Sequence, residues 1–178
     1  SKAPPPGGGS AAALAGAMSA ALGAMVGRLT AGRSRFADVR DEVRELIVEA
    51  EKLRQTLIEG MEEDAAAFNA VMAAYKLPKG TDKEKAARHA ATQKAMTRAA
   101  EVPLETARQV LRAMEIALVM ARKGNPNAVT DAASAVWLGM AALQSAALNV
   151  RINATSIDDQ ERARTWLDEL DGILTRAD

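Results

Sequence analysis

From Ala11 to Gly27 the chain carries no charged residue, and every position is Ala, Gly, Ser, Leu, Met or Val. A run like that has to be covered by something. Val26 is its only β-branched residue and it holds no aromatic side chain, so it has the character of a helix rather than a strand. Ala and Gly add little to membrane insertion, and the run is shorter than the roughly 20 residues of a span. Arg28 and Arg33 follow at once, and the segment reads as the buried helix of a soluble protein. Its small residues recur at helical spacing, Ala12, Gly16 and Ala20, then Gly23 and Gly27. That pattern lets another backbone approach closely, within the subunit or across a dimer. Alanine supplies about 40 of the 178 residues and aromatics only 3%. We therefore expect an all-α, single-domain, up-and-down helical bundle over residues 1–178, with long, partly kinked helices.

Ahead of this helix stands Ser1-Lys2-Ala3-Pro4-Pro5-Pro6-Gly7-Gly8-Gly9-Ser10. The prolines hold an extended backbone and the glycines permit almost any other, so residues 1–9 look like a linker, with Ser10 as N-cap of a helix from Ala11 to about Thr30. Placed at a helix N-terminus, the same Gly run can also hold an anion. Apolar spacing from Val39 to Met72 predicts one long or two consecutive amphipathic helices over about 33–76, ended by Leu77-Pro78-Lys79-Gly80. Thr81-Asp82-Lys83-Glu84 has capping-box spacing and starts a helix to about Ala100. Pro103 either kinks that helix or opens another running to about Lys123. Gly124-Asn125-Pro126-Asn127 makes a turn, a helix follows from about Asp131 to Asn153 capped by Thr130 or Asp131, and the last spans about Asp158 to Thr175.

Residue inventory narrows the chemistry. Lys plus Arg and Asp plus Glu both number 23, so no bulk field favours nucleic acid or an anionic membrane. With no cysteine and a single histidine, thiolate and multi-histidine metal sites and cysteine nucleophiles are out, and we expect no metal. Carboxylate, amide, hydroxyl, lysine and arginine chemistry remains. Asp64, followed by Ala65-Ala66-Ala67-Phe68, is a carboxylate with room beside it for a ligand, or one more exposed acid next to Glu62 and Glu63. Asn149 and Asn153, four apart in an apolar helix, could read the edge of a heterocycle or could tie helix ends together. Asp131 resembles a cap and joins Gly124 and Asn125 in a polar turn. Lys79, with Lys83, Lys85 and Arg88 behind it, is a basic corner suited to a carboxylate-tailed ligand, and Arg33 with Arg35 could make a second; the usual explanation of such charges is a solvated surface. His89 should be exposed. Trp137, Trp166, Phe36, Phe68 and Tyr75 read as core or interface anchors.

Taken in order, these pieces resemble the cyclodeaminase/cyclohydrolase family of folate enzymes over nearly the whole chain. The matching features are Pro6-Gly7-Gly8-Gly9-Ser10, Gly32-Arg33 with Arg35-Phe36, Asp64 with Phe68, and Leu77-Pro78-Lys79 with Thr81 and Glu84-Lys85. Val102-Pro103-Leu104, Gly124-Asn125, Asp131, and Ala147-Leu148-Asn149-Val150 with Ile152-Asn153 complete them.

The resemblance implies an all-α homodimer that binds a folate carrying a one-carbon unit and needs no cofactor. The absence of a recognisable export signal, of a long enough span and of cysteine, with the balanced charge, leads us to expect a cytoplasmic protein without metal and without nucleic-acid or membrane partners. The resemblance also implies hydrolysis of 5,10-methenyltetrahydrofolate to 10-formyltetrahydrofolate, the alternatives being a formiminotetrahydrofolate cyclodeaminase that releases ammonia or a non-enzymatic helical dimerisation module. The catalytic candidates are Asp64 and Lys79. For substrate binding the candidates are Gly7, Gly8, Gly9, Ser10, Arg33, Asn125, Asp131, Asn149 and Asn153, with the Pro/Gly-rich loop lining the cleft.

Overall fold

In the computed structural model, residues 7–178 are described and fold into five α-helices. These are α1 Gly8–Ala31, α2 Arg40–Tyr75, α3 Asp82–Lys123, α4 Val129–Ala154 and α5 Gln160–Ala177. Two 3-10 turns, Ser34–Val39 and Pro126–Ala128, lead into α2 and α4. No strand occurs among the described residues, as the alanine content predicts.

Side-chain pairings fix the directions. Built Cβ atoms on Gly16 and Gly27 would meet Leu57 and Ile47, so α2 descends as α1 rises. Arg98 pairs with Glu63, Arg112 with Glu49 and Lys123 with Glu42, so α3 is antiparallel to α2. α4 is antiparallel to α1, with Gly8 against Asn149 and Gly139 against Ser19. The result is an up-and-down four-helix bundle joined by short connections, with α5 alongside α3 through Arg108–Glu169 and Glu115–Arg176.

The charge-free helix α1 packs on α2, α3 and α4, and its small residues do their work inside the subunit. A Cβ on Gly16 would lie 2.5 Å from Val110 Cγ2, and one on Gly27 2.6 Å from Ile47 Cγ1. Ala12, Gly16, Ala20, Gly23 and Gly27 are all buried. Around them close Leu57, Leu104, Val110, Met114, Leu143 and Val150, with Trp166 and Leu170 of α5 sealing one side.

Several boundaries differ from the sequence reading for identifiable reasons. α1 begins at Gly8 with Gly7 as N-cap, so Gly7–Gly9 belong to a helix start and not to a linker; residues 1–6 of the expected loop lie outside the described part. Ser10 is the third helical residue rather than the cap. α4 begins at Val129, and neither Thr130 nor Asp131 caps it, because the Pro126–Ala128 turn already sets the helical direction; there the Asn125 side chain accepts from Asn127 N. α5 begins at Gln160, two residues after the expected start at Asp158, with Asp159 as its cap. The Thr81/Glu84 capping box is present.

Pro103 opens no new helix. It sits inside α3, where it has no N–H for the carbonyl of Ala99, four residues back. The amide of Asn153 fills that gap, donating from Nδ2 to Ala99 O at 2.7 Å.

Past its contact with α1, α2 continues from Asp64 to Tyr75, about 16 Å of helix. Together with the first turns of α3 it forms a two-helix arm, held by a small cluster of Val71, Ala74 and Ala95.

Candidate functional site

The site lies at the step where this arm leaves the bundle. The first N–H groups of α1 have no intrahelical partners, and the cap residue Gly7 has no side chain to serve them. A carboxylate from another helix takes that part. Asp64 Oδ2 accepts from Ser10 N at 2.8 Å and from Ser10 Oγ at 2.7 Å. Negative charge at a helix N-terminus is favourable, and two donors fix the plane of the carboxylate. Among the described residues, no hydrogen bond engages Oδ1.

Glycine here is a packing requirement. A Cβ on Gly9 would fall 2.0 Å from Asp64 Oδ1, and one on Gly8 would fall 2.9 Å from Asn149 Nδ2. Across the start of α1, Ser145 Oγ donates to Gly8 O at 3.2 Å and Asn149 Nδ2 donates to Ser145 O at 2.8 Å. The structure thus brings together Gly7, Gly8, Gly9, Ser10, Asp64 and Asn149, and adds Ser145, which the sequence reading did not single out. Its signal was its position four residues before Asn149, on the same face of α4.

Other candidates lie elsewhere. Asn153 spends its amide N–H on Ala99 O, so the pairing of Asn149 and Asn153 as joint readers of a heterocycle is replaced by separate roles. Asn125 is buried at the opposite end of the bundle. There its N–H donates to Thr30 Oγ1 at 2.9 Å and its Oδ1 accepts from Arg35 at 2.8 Å, tying the end of α1 to the α3–α4 turn. Ser10 and Thr30 are separated by about 30 Å of helix, and Arg33 and Asp131 share the far end with Asn125. Within one chain these three residues therefore do not reach Asp64. Lys79 does not reach it either, because it stands beyond the tip of the arm, where it lines a cavity of about 330 Å³ with Tyr75, Lys85, Arg88, His89 and Thr92.

Electrostatic shifts belong to the frame rather than to this step. The Arg112 guanidinium holds the Glu49 carboxyl below its ordinary range, and Arg108 does the same for Glu169. His89 is exposed, as expected, and pairs with Asp158 at 2.7 Å.

Comparison with known proteins places this geometry. The family described as formiminotransferase-cyclodeaminase matches residues 1–172. The chain is 46% identical over 177 residues to a methenyltetrahydrofolate cyclohydrolase of Methylorubrum extorquens, covering 99% of this chain and 85% of that one. It is 34% identical over 156 residues to the formimidoyltransferase-cyclodeaminase of Gallus gallus, covering 88% of this chain but 29% of that longer protein. A crystal structure of formiminotetrahydrofolate cyclodeaminase from Thermotoga maritima superposes with a TM-score of 0.84 at 29% identity, over 99% of this chain and 88% of that one. The chain belongs to the formiminotransferase-cyclodeaminase family.

Proposed function

We propose that this protein hydrolyses 5,10-methenyltetrahydrofolate to 10-formyltetrahydrofolate, with the Asp64 carboxylate as its central group. The observation that carries the reading is the carboxylate held by Ser10 at the start of α1, in a chain so close to a relative named as this cyclohydrolase. The substrate's N5–C–N10 amidinium is a delocalised cation, and a fixed anion beside it stabilises both the bound ion and the developing transition state. Water adds to the methenyl carbon and Asp64 Oδ1 takes its proton. In the collapse of the tetrahedral adduct the protonated Asp64 returns its proton to N5 as the C–N5 bond breaks, the adduct's hydroxyl proton passes to water as the formyl C=O forms, and the formyl group stays on N10. Asn149 and Ser145 supply amide and hydroxyl groups on the opposite wall. Water is the only co-reactant, so the reading calls for no cofactor and no metal, nor for a nucleic-acid or membrane partner, and it takes the protein to be cytoplasmic.

The working unit in this reading is a homodimer. α4 presents an apolar stripe to solvent, with Trp137 74%, Leu148 68% and Ile152 65% exposed, and Leu14 and Met18 of α1 lie on the neighbouring helix. Large aromatic and aliphatic side chains left in the open in this way mark an association surface. A two-fold axis at the middle of α4 sets the Asp131 end of one copy beside the Asn149 end of the other. That arrangement would return Arg33, Asn125 and Asp131 to the neighbourhood of a site they cannot reach within one chain.

The direct test follows loss of methenyltetrahydrofolate absorbance against spontaneous hydrolysis, with ammonia release from formiminotetrahydrofolate measured alongside. Accelerated decay without ammonia is expected. Ammonia release in its place would assign the cyclodeaminase reaction.

A further inference from the structure

The side-chain amide of Asn149 is held in one orientation. Its Nδ2 donates to Ser145 O at 2.8 Å, and a backbone carbonyl can only accept, so the nitrogen edge of the amide has to face Ser145. Turning the amide over would set Oδ1 against that carbonyl oxygen. Oδ1 therefore keeps its direction, and among the described residues nothing donates to it. The Ser145 hydroxyl adds to the pattern, because it spends its one hydrogen on Gly8 O.

Asp64 and Asn149 flank the first turn of α1 from different helices. Asp64 Oδ1, on α2, lies 2.0 Å from the place of a Cβ on Gly9, and Asn149 Oδ1, on α4, lies 3.5 Å from that of a Cβ on Gly8. Neighbouring helical positions point about 100° apart, so the two side chains form separate walls. Each wall presents an oxygen with lone pairs to offer and no hydrogen. A ligand that meets both must bring hydrogen or positive charge to two opposed points.

In a pterin the atom diametrically opposite N5 in the ring is N8. It carries a hydrogen in the tetrahydro and 7,8-dihydro forms and a bare lone pair in the fully oxidised ring. With the N5 edge of the substrate at Asp64, N8 faces the other wall. We propose that Asn149 Oδ1 accepts the N8–H of the pterin, which makes Asn149 the residue that selects reduced over oxidised folates. This inference rests on the folate reading of the Asp64 site. An oxidised pterin would set its N8 lone pair against an oxygen that cannot turn away, and a site built to accept a hydrogen rejects the analogue that lacks it.

The test is calorimetric binding of folic acid, 7,8-dihydrofolate and tetrahydrofolate, all monoglutamates, to the intact protein without oxygen. The step from folic acid to dihydrofolate adds the N8 hydrogen, and the step to tetrahydrofolate adds the N5 hydrogen. Dihydrofolate is expected to bind at least about tenfold more tightly than folic acid. Asn149→Ala should abolish that step and leave the preference for tetrahydrofolate over dihydrofolate. Asn149→Asp, which keeps an acceptor oxygen, should keep both steps. Because the amide bonds only within its own helix, the alanine variant should unfold in urea close to the parent. Equal binding of dihydrofolate and folic acid by the parent overturns the assignment, as does a preference that survives Asn149→Ala or is lost in Asn149→Asp. Failure of the cyclohydrolase reading shows separately, as absent turnover of methenyltetrahydrofolate in a protein that still ranks the three folates.

Discussion

Ser10 and Asp64 are 54 positions apart in sequence, yet one carboxylate oxygen of Asp64 accepts both the backbone N–H and the hydroxyl of Ser10. Asp64 does for α1 what an N-cap side chain ordinarily does from within the same helix. The start of the buried helix and the orientation of the candidate catalytic group are thereby one structural fact. Ser10→Ala removes the hydroxyl donor and keeps the backbone one. We expect a loss of about 1.5–3 kcal/mol in stability, the usual effect of deleting a hydrogen bond to a charged group, and a roughly tenfold fall in kcat. Urea denaturation and the absorbance assay read the two effects, and an unchanged kcat would detach Ser10 from the chemistry.

Glycine at position 9 is required by contact and not by backbone conformation, since no glycine in the described chain has positive φ. In an open helix, Gly→Ala gains up to about 1 kcal/mol. Gly172 of α5, with nothing within 4 Å of a built Cβ, should show that gain as a raised urea midpoint. Gly9→Ala should do the opposite, because its methyl would occupy the place of Asp64 Oδ1. Activity should be lost with it. A stabilised, fully active Gly9→Ala protein would mean that the carboxylate stands elsewhere.

Asn153 and Pro103 form a testable pair. Asn153→Ala alone leaves Ala99 O without a donor and should cost about 1–2 kcal/mol. Pro103→Ala returns an N–H to that carbonyl, so the same asparagine substitution in that background should cost markedly less. A double-mutant cycle in urea measures the difference, and additive effects would rule out the compensation.

What could be read from the sequence divides along this same line. The buried α1, the capping box at Thr81 and the interruption at Leu77–Gly80 are encoded in neighbouring residues, and each stands as read. The start of α1 was misplaced because its cap comes from Asp64, and local spacing holds no trace of such a partner. Asn153 looked like half of a recognition pair because its actual partner, a carbonyl freed by Pro103, lies on another helix. Arg33, Asn125 and Asp131 fit the family pattern as well as Asp64 does, but a linear motif does not say which end of a 30 Å bundle a residue will occupy. Trp137, one of the expected core or interface anchors, is on the surface and is no core residue of the single chain.

The α2–α3 frame should carry a pH signature. Arg112 holds Glu49 below its ordinary value of 4.5, so the pair's contribution is complete above that pH and is lost as pH falls through the lowered folded-state value. Both side chains are about two-fifths exposed, which limits the contribution to about 0.5 kcal/mol. Glu49→Gln should therefore be slightly less stable than the parent at about pH 7, with the difference vanishing as pH falls through the lowered folded-state value. A difference that persists in acid would point to packing instead of charge.

The central claim is that a carboxylate fixed at the start of α1 performs the hydrolysis. Asp64→Asn keeps the shape and one acceptor oxygen for Ser10 while removing the charge, so the fold should persist with a modest loss in urea midpoint. The decisive measurement is the turnover of 5,10-methenyltetrahydrofolate by this variant under saturating substrate. We predict a fall in kcat of at least about a hundredfold, in the range typical for loss of a general base or a key electrostatic group. A folded Asp64→Asn protein turning over at the parent rate would contradict the account.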